Sequence, residues 1–134
     1  MEKKYPSSTK VVVVGGGVIG CSVAYHLTKF GWKDVVLLER DQLTSGTTWH
    51  AAGLVSQLGP TAAVTKIRKY TLDLYKKLEK EVDHSAGLRI NGALSIAQTD
   101  ARWQELQRQA TTAQLYDVDI KTVSYTHLTL PTKA

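Results

Sequence analysis

Four consecutive valines, Val11 to Val14, run straight into Gly15-Gly16-Gly17-Val18-Ile19-Gly20, and this junction limits the fold more than any other stretch. A β-branched run without alternation suits a strand covered on both faces of a parallel sheet. The glycines fit G-x-G-x-x-G and open a helix expected from about Gly17 to Lys29, with Ile19, Val23, Ala24 and Leu27 on an apolar stripe. Lys29 suits the helix C-terminus, and Gly31 supplies a left-handed cap. Asp34 to Glu39 then reads as a second buried strand. The unit is β-α-β, with parallel neighbouring strands.

The chemistry of this turn is that of a dinucleotide site. Gly15 permits the tight turn, Gly17 lets backbone amides approach a pyrophosphate, and Gly20 lets the helix pack closely on the sheet. The helix N-terminus offers unpaired N–H groups and partial positive charge to phosphates. Glu39, at the end of the second strand, is placed to accept hydrogen bonds from the adenosine ribose hydroxyls. A carboxylate there repels a 2′-phosphate, which argues against NADP. The motif alone does not choose between FAD and NAD.

Beyond the second strand the pattern leaves strict βα alternation. A Ser/Gly/Thr loop leads into AAGLVSQLGP, a short helix or irregular passage ending at Pro60. Thr61 to Val82 reads as a helix with Val64, Ile67, Leu74, Leu78 and Val82 on one face. Asp73–Lys77 and Lys77–Glu81 have the spacing of exposed ion pairs. Gly87 to Gln98 reads as two short strands, LRI and ALSIA, around an Asn91-Gly92 hairpin turn. Thr99 or Asp100 caps a further helix containing Trp103, Leu106, Ala110 and Leu115. Asp117 to Thr122 looks like the start of another strand.

Composition narrows the function classes. The net charge of +5 is spread along the chain and forms no arm, which disfavours nucleic acid. Cys21 is the only cysteine, so no intrachain disulfide forms and a thiol zinc site is excluded; no metal is expected. No apolar run approaches the roughly 20 residues that span a bilayer. The leader, residues 1–9, has neither the apolar core of a signal peptide nor the arginines of a transit peptide. Cytoplasm is therefore the expected location, with the mitochondrial matrix as the alternative if a transit peptide is missing.

The end of the chain has a different origin. Val123 to Thr132, VSYTHLTLPT, is encoded without a break by GTC TCT TAT ACA CAT CTG ACG CTG CCG ACG, the end of a transposon-based sequencing adapter. Residues 123–134 are accordingly expected to be non-native, and Tyr125, His127 and Pro131 to carry no functional meaning. The natural reading frame is expected to continue past Thr122.

Residues 10–122 resemble the N-terminal part of FAD-dependent sarcosine and dimethylglycine dehydrogenases, which belong to the glycine- and D-amino-acid-oxidase-like flavoproteins. Three stretches carry the resemblance: VVVVGGGVIGCSVAYHLTKFGWKDVVLLER, LTSGTTWHAAGLVSQL and GLRINGALSIAQTDARWQEL. The first is common to many flavoproteins, whereas S-G-[ST]-T-W-H-A-A-G-L is much narrower. The implied fold is α/β: a truncated Rossmann-like FAD-binding domain of the D-amino-acid-oxidase type, running β-α-β, helix, hairpin, helix.

The resemblance also assigns residues. In that family the histidine of W-H-A-A-G-L is joined covalently to the flavin 8α-methyl carbon, a role that falls on His50. Val18 and Ile19 fall in the pyrophosphate loop, and Glu39 and Arg40 at the adenosine site. Ser45, Gly46, Thr47, Thr48, Trp49, His50, Ala51, Ala52, Gly53 and Leu54 form the segment beneath the isoalloxazine. Physical chemistry is compatible with this. A neutral imidazole is nucleophilic, and the small residues let backbone approach a flat ring.

The implied activity is oxidative N-demethylation of a small N-methylated glycine, with hydride transfer to FAD. An electron acceptor such as an electron-transfer flavoprotein is the implied partner, and tetrahydrofolate would bind in a region beyond Thr122. The substrate clamp is also expected there; Arg68 and Arg89 are weaker candidates as anion contacts. Two other readings stay open: a non-catalytic relative tied to pyruvate dehydrogenase phosphatase, which has lost the W-H pair, and an amine oxidase with noncovalent FAD. His26, His84 and Cys21 read as ordinary structural residues.

Overall fold

The computed structural model describes residues 6–123, so most of the adapter-like tail lies outside the described residues. The chain divides into two compact units, one ending at Gly53 and one beginning at Leu54.

The first unit is the expected β-α-β. Strand β1, Val11–Val14, pairs in parallel with β2, Val35–Leu38, in the register Val11↔Val35 to Val14↔Leu38. Asp34 sets that register from below. Its carboxylate accepts the Thr9 hydroxyl at 2.8 Å and the Lys10 N–H at 3.1 Å, tying the entrance of β1 to the entrance of β2. Between the strands, α1 spans Val18–Lys29, and the chain leaves it through Gly31 at φ +89°.

The contacts of α1 differ from the apolar stripe. Gly20, Ala24 and Leu27 are half-buried, one and two turns apart, whereas Ile19 is 77% exposed. Close helix–strand approach at Gly20 sets this rotation. The strands also depart from burial on both faces. Burial alternates along β1, with Val12 and Val14 facing outward and Val14 82% exposed, and no residue of β2 is fully buried. Among the described residues the sheet has two strands, and Val12, Val14 and Leu38 lie open on it.

The second unit holds α2, Ala62–Glu81, and α3, Asp100–Gln114. Both start at threonine caps: the Thr61 and Thr99 hydroxyls accept the Val64 and Arg102 N–H groups at 3.3 and 3.2 Å. The core contains Leu72, Ala110, Ala113 and Val118, with Thr65 fully buried. Thr65 is polar but satisfied: its hydroxyl accepts the Gly59 N–H at 3.0 Å and donates to the Thr61 carbonyl at 3.0 Å. Arg68 reinforces this clasp through the Ser56 hydroxyl and the Leu58 carbonyl. Lys69 Nζ donates to the Tyr116 carbonyl, joining α2 to the end of α3. On the exposed side, Lys77 and Glu81 approach to 3.6 Å.

Three expectations are corrected here. Ile67 and Val82, expected on the apolar face of α2, are exposed, because burial centres on Thr65, Leu72, Ala110 and Ala113. Residues 87–98 form no hairpin ladder, although Gly92 has the positive φ of a turn, +74°. A two-stranded hairpin is marginal without a packed apolar face, and Ile90, Leu94 and Ile96 are all exposed. Residues 117–122 form no strand either.

So much exposed apolar surface leads to a direct expectation. The 134-residue chain by itself should express poorly, melt without a sharp transition and hold no stoichiometric flavin. A soluble product with one flavin per chain in its absorbance spectrum would refute this.

Candidate functional site

The glycine turn sits at the C-terminal end of β1. Gly15 adopts φ +105°, accessible to glycine at little cost, and its N–H continues the sheet ladder to the Leu38 carbonyl at 2.8 Å. Gly20 lies directly against this turn. A Cβ there would stand 1.8 Å from the Gly15 carbonyl oxygen. A Cβ on Gly17 would meet Thr48 Oγ1 at 2.9 Å.

Gly16, an unassigned position of the motif, is the best connected. It is buried, its N–H donates to Glu39 Oε2 at 2.6 Å, and its carbonyl accepts the Thr44 N–H at 3.0 Å. The Cys21 thiol donates to the same carbonyl at 3.4 Å, which gives the half-buried cysteine a packing role. Thr44 itself sits at φ +68°, a strained conformation for a β-branched residue. Sequence reasoning missed both residues. The third glycine in the row is the sole signal for Gly16, and Thr44 has none.

Glu39 turns its carboxylate back onto the loop. Oε2 takes Gly16, while Oε1 accepts the Arg40 N–H at 2.8 Å and the Asp41 N–H at 3.1 Å. The Gly16 N–H above all, then that of Asp41, holds the carboxyl below the usual carboxylate range, against partial burial. A carboxylate offers about four lone-pair positions. Three are used by backbone here, so one position remains for a further donor.

From Gln42 the chain folds over the glycine turn. The Ser45 hydroxyl donates to the Gln42 carbonyl, and Gly46 precedes a single 3-10 turn, Thr47–His50. Thr48 Oγ1 accepts the Val18 N–H at 2.9 Å. This contact engages one of the amides expected to face a pyrophosphate. His50 closes the turn with Nδ1 3.1 Å from the Gly46 carbonyl. A carbonyl only accepts, so Nδ1 carries the proton of that bond, and in the neutral ring the lone pair lies on Nε2. The imidazole is exposed, and Trp49 is 79% exposed, so neither fills the core of this unit. Ala51 and Ala52 are exposed, and Gly53 has φ +70°. Leu54, 90% exposed, begins the second unit.

The first unit thus gathers Gly15 to Gly20, Glu39, Arg40 and Ser45 to His50 around one end of β1 and α1. The arrangement fits a dinucleotide. The first turn of α1 contains no acid and its cap glycine no side chain, so nothing on the helix itself opposes an anion at that end. His26 Nδ1 contacts the Ser22 carbonyl at 2.6 Å within α1, and His84 and Arg89 are exposed. Arg68 is engaged in the α2 clasp. Among the described residues no cluster of three or more His, Cys, Asp or Glu side chains is placed to hold a metal, and no helix is long and apolar enough to cross a membrane.

The sequence pattern of the DAO family, described as FAD dependent oxidoreductase, matches residues 10–127. The chain belongs to the DAO family of FAD-dependent oxidoreductases. Human mitochondrial dimethylglycine dehydrogenase is 43% identical over 82% of the chain, and human mitochondrial sarcosine dehydrogenase 42% over 89%. The 4-methylaminobutanoate oxidase (formaldehyde-forming) of Paenarthrobacter nicotinovorans is 48% identical over 75%. The mitochondrial pyruvate dehydrogenase phosphatase regulatory subunit of mouse reaches 42% over 77%, so percentage identity does not separate these classes. The chain spans 12–13% of the length of each of these relatives.

Proposed function

We propose that this chain is the N-terminal part of a flavoenzyme that oxidatively demethylates a small N-methylated glycine, sarcosine or dimethylglycine, with FAD attached covalently to His50. The observation that carries the reading is the Ser45–His50 segment folded onto the dinucleotide turn, with the His50 ring held at Nδ1 and Nε2 left as its nucleophilic atom. FAD, when bound, supplies the hydride acceptor for breaking a C–H bond of the N-methyl group.

The residues of this chain bind and orient. Gly15, Gly17 and Gly20 keep side chains away from the phosphate-binding turn, and the amide of Ile19 faces the anion from the start of α1, where the Val18 N–H is bonded to Thr48 Oγ1. Glu39 supplies a fixed negative charge toward the ribose, and Arg40 adjoins it. Gly46, Ala51, Ala52 and Gly53 leave room for a flat ring. Thr47 and Trp49 flank the attachment residue. The substrate clamp, a tetrahydrofolate region and contacts to an electron acceptor such as an electron-transfer flavoprotein belong to the remainder of the protein. The human dimethylglycine and sarcosine dehydrogenases similar to this chain are mitochondrial, which favours the mitochondrial alternative over the cytoplasm.

Acid precipitation of the full-length protein tests the attachment. Yellow colour should stay with the pellet, and His50→Ala should move all of it to the supernatant. Free flavin from the unsubstituted protein would remove the tether and favour a noncovalent amine oxidase. Anaerobic addition of sarcosine or dimethylglycine should bleach the flavin absorbance. A flavin that neither amine bleaches would instead favour the non-catalytic regulatory reading.

A further inference from the structure

We infer that Thr48 is the positioning residue that locks the His50 turn onto the phosphate-binding end of α1. The inference rests on the His50 reading above and names the residue that governs attachment. Helix α1 has no cap of its own, since its N-cap is Gly17, which offers no side-chain acceptor, and its first turn carries no acid. The missing oxygen comes from thirty residues along the chain: Thr48 Oγ1 accepts the Val18 N–H at 2.9 Å. Gly17 is shaped to admit it, because a Cβ there would stand 2.9 Å from the same oxygen. The second glycine of the motif therefore makes room for a protein hydroxyl as well as for a dinucleotide.

The consequence for His50 is geometric. Thr48 and His50 share one 3-10 turn of four residues, and that turn has no side-chain cap of its own. The Trp49 N–H and His50 Nδ1 contacts to the Gly46 carbonyl are internal to the segment. Thr48 is thus the anchor that relates the imidazole to α1 and not merely to its own loop. Attachment forms one nitrogen–carbon bond at the 8α-methyl carbon and consumes one C–H and one N–H bond. The two electrons and two protons released are taken by dissolved oxygen, giving hydrogen peroxide. Such a bond requires the ring nitrogen to be held at reacting distance, and misplacement by about 1 Å costs about a hundredfold in rate.

The test uses full-length apoprotein mixed with saturating FAD, following acid-precipitable flavin with time. Thr48→Val keeps the shape and removes the acceptor, and should slow attachment about tenfold or more. Thr48→Ser keeps the hydroxyl and should stay within about twofold. Thr48→Ala replaces the valine variant if the latter fails to fold by circular dichroism. A companion measurement of the FAD dissociation constant in His50→Ala protein, where FAD is reversible, with and without Thr48→Val, lets attachment rates be compared at matched saturation. Attachment at the unsubstituted rate in the valine variant overturns the inference while leaving the His50 reading intact. An equal loss in FAD affinity would reassign Thr48 to phosphate binding and also overturn it. Absence of covalent flavin in the unsubstituted protein defeats both.

Discussion

Gly20→Ala is expected to abolish flavin-loaded, soluble protein. A methyl group at this position would stand 1.8 Å from the Gly15 carbonyl oxygen and 3.0 Å from its carbon. Both are backbone atoms of a turn whose N–H is bonded to Leu38, so no side-chain rotation relieves the contact. The helix must lift from the sheet, separating the amides of α1 from the glycine turn. A clash of this kind belongs with the rare substitutions costing about 4 kcal/mol or more. Gly15→Ala meets nothing within 4 Å but requires a strained φ of +105°, a cost of about 1–3 kcal/mol. Thermal melts and flavin stoichiometry of the two full-length variants should therefore rank Gly20→Ala as the worse. The reverse order would mean that helix–turn contact does not hold this site together.

Glu39 carries the second large effect. In a His50→Ala background, where FAD exchanges freely, Glu39→Ala should weaken FAD binding by about tenfold to a hundredfold, as expected for charged hydrogen bonds. Equilibrium dialysis measures this, and an unchanged affinity would exclude Glu39 from the adenosine site. The same carboxylate gives a pH signature. Its folded pKa lies below the ordinary 4.5 because the Gly16 N–H, and then that of Asp41, bonds the ionised form. Its contribution to stability is complete above about pH 4.5 and fades as pH falls through 4.5 to the folded value. The melting-temperature gap between Glu39 and Glu39→Gln proteins should thus be constant near neutrality and close in acid. A gap that widened in acid would reverse the assigned sign.

The sequence showed most where local chemistry decides structure. Both helix starts in the second unit follow from threonines whose hydroxyls bond the N–H three residues on, and β-α-β follows from valines, glycines and Glu39 in order. It showed less where tertiary context decides. Ile67 and Leu115 have the character of core residues but lie exposed, while Thr65 is the fully buried side chain of α2. Asn91-Gly92 supplies a turn but no ladder, since its flanking residues find no packed face. Within the site, Gly15, Gly20 and Glu39 were legible because each serves a fixed part of the turn. Gly16 was not, because its meaning depends on a carboxylate 23 residues away. Thr44 was not, because a threonine at positive φ leaves no trace in residue type.

The outward face of β1 bears on how such a chain fares in a cell. Val12 and Val14 lie side by side on a strand with one unpaired edge, in a run of four valines without charge or proline. Flat, uncharged edges of this kind recruit strands from other molecules. With this patch open, clumping or proteolysis, more than quiet loss of activity, is the expected fate of the 134-residue chain expressed alone.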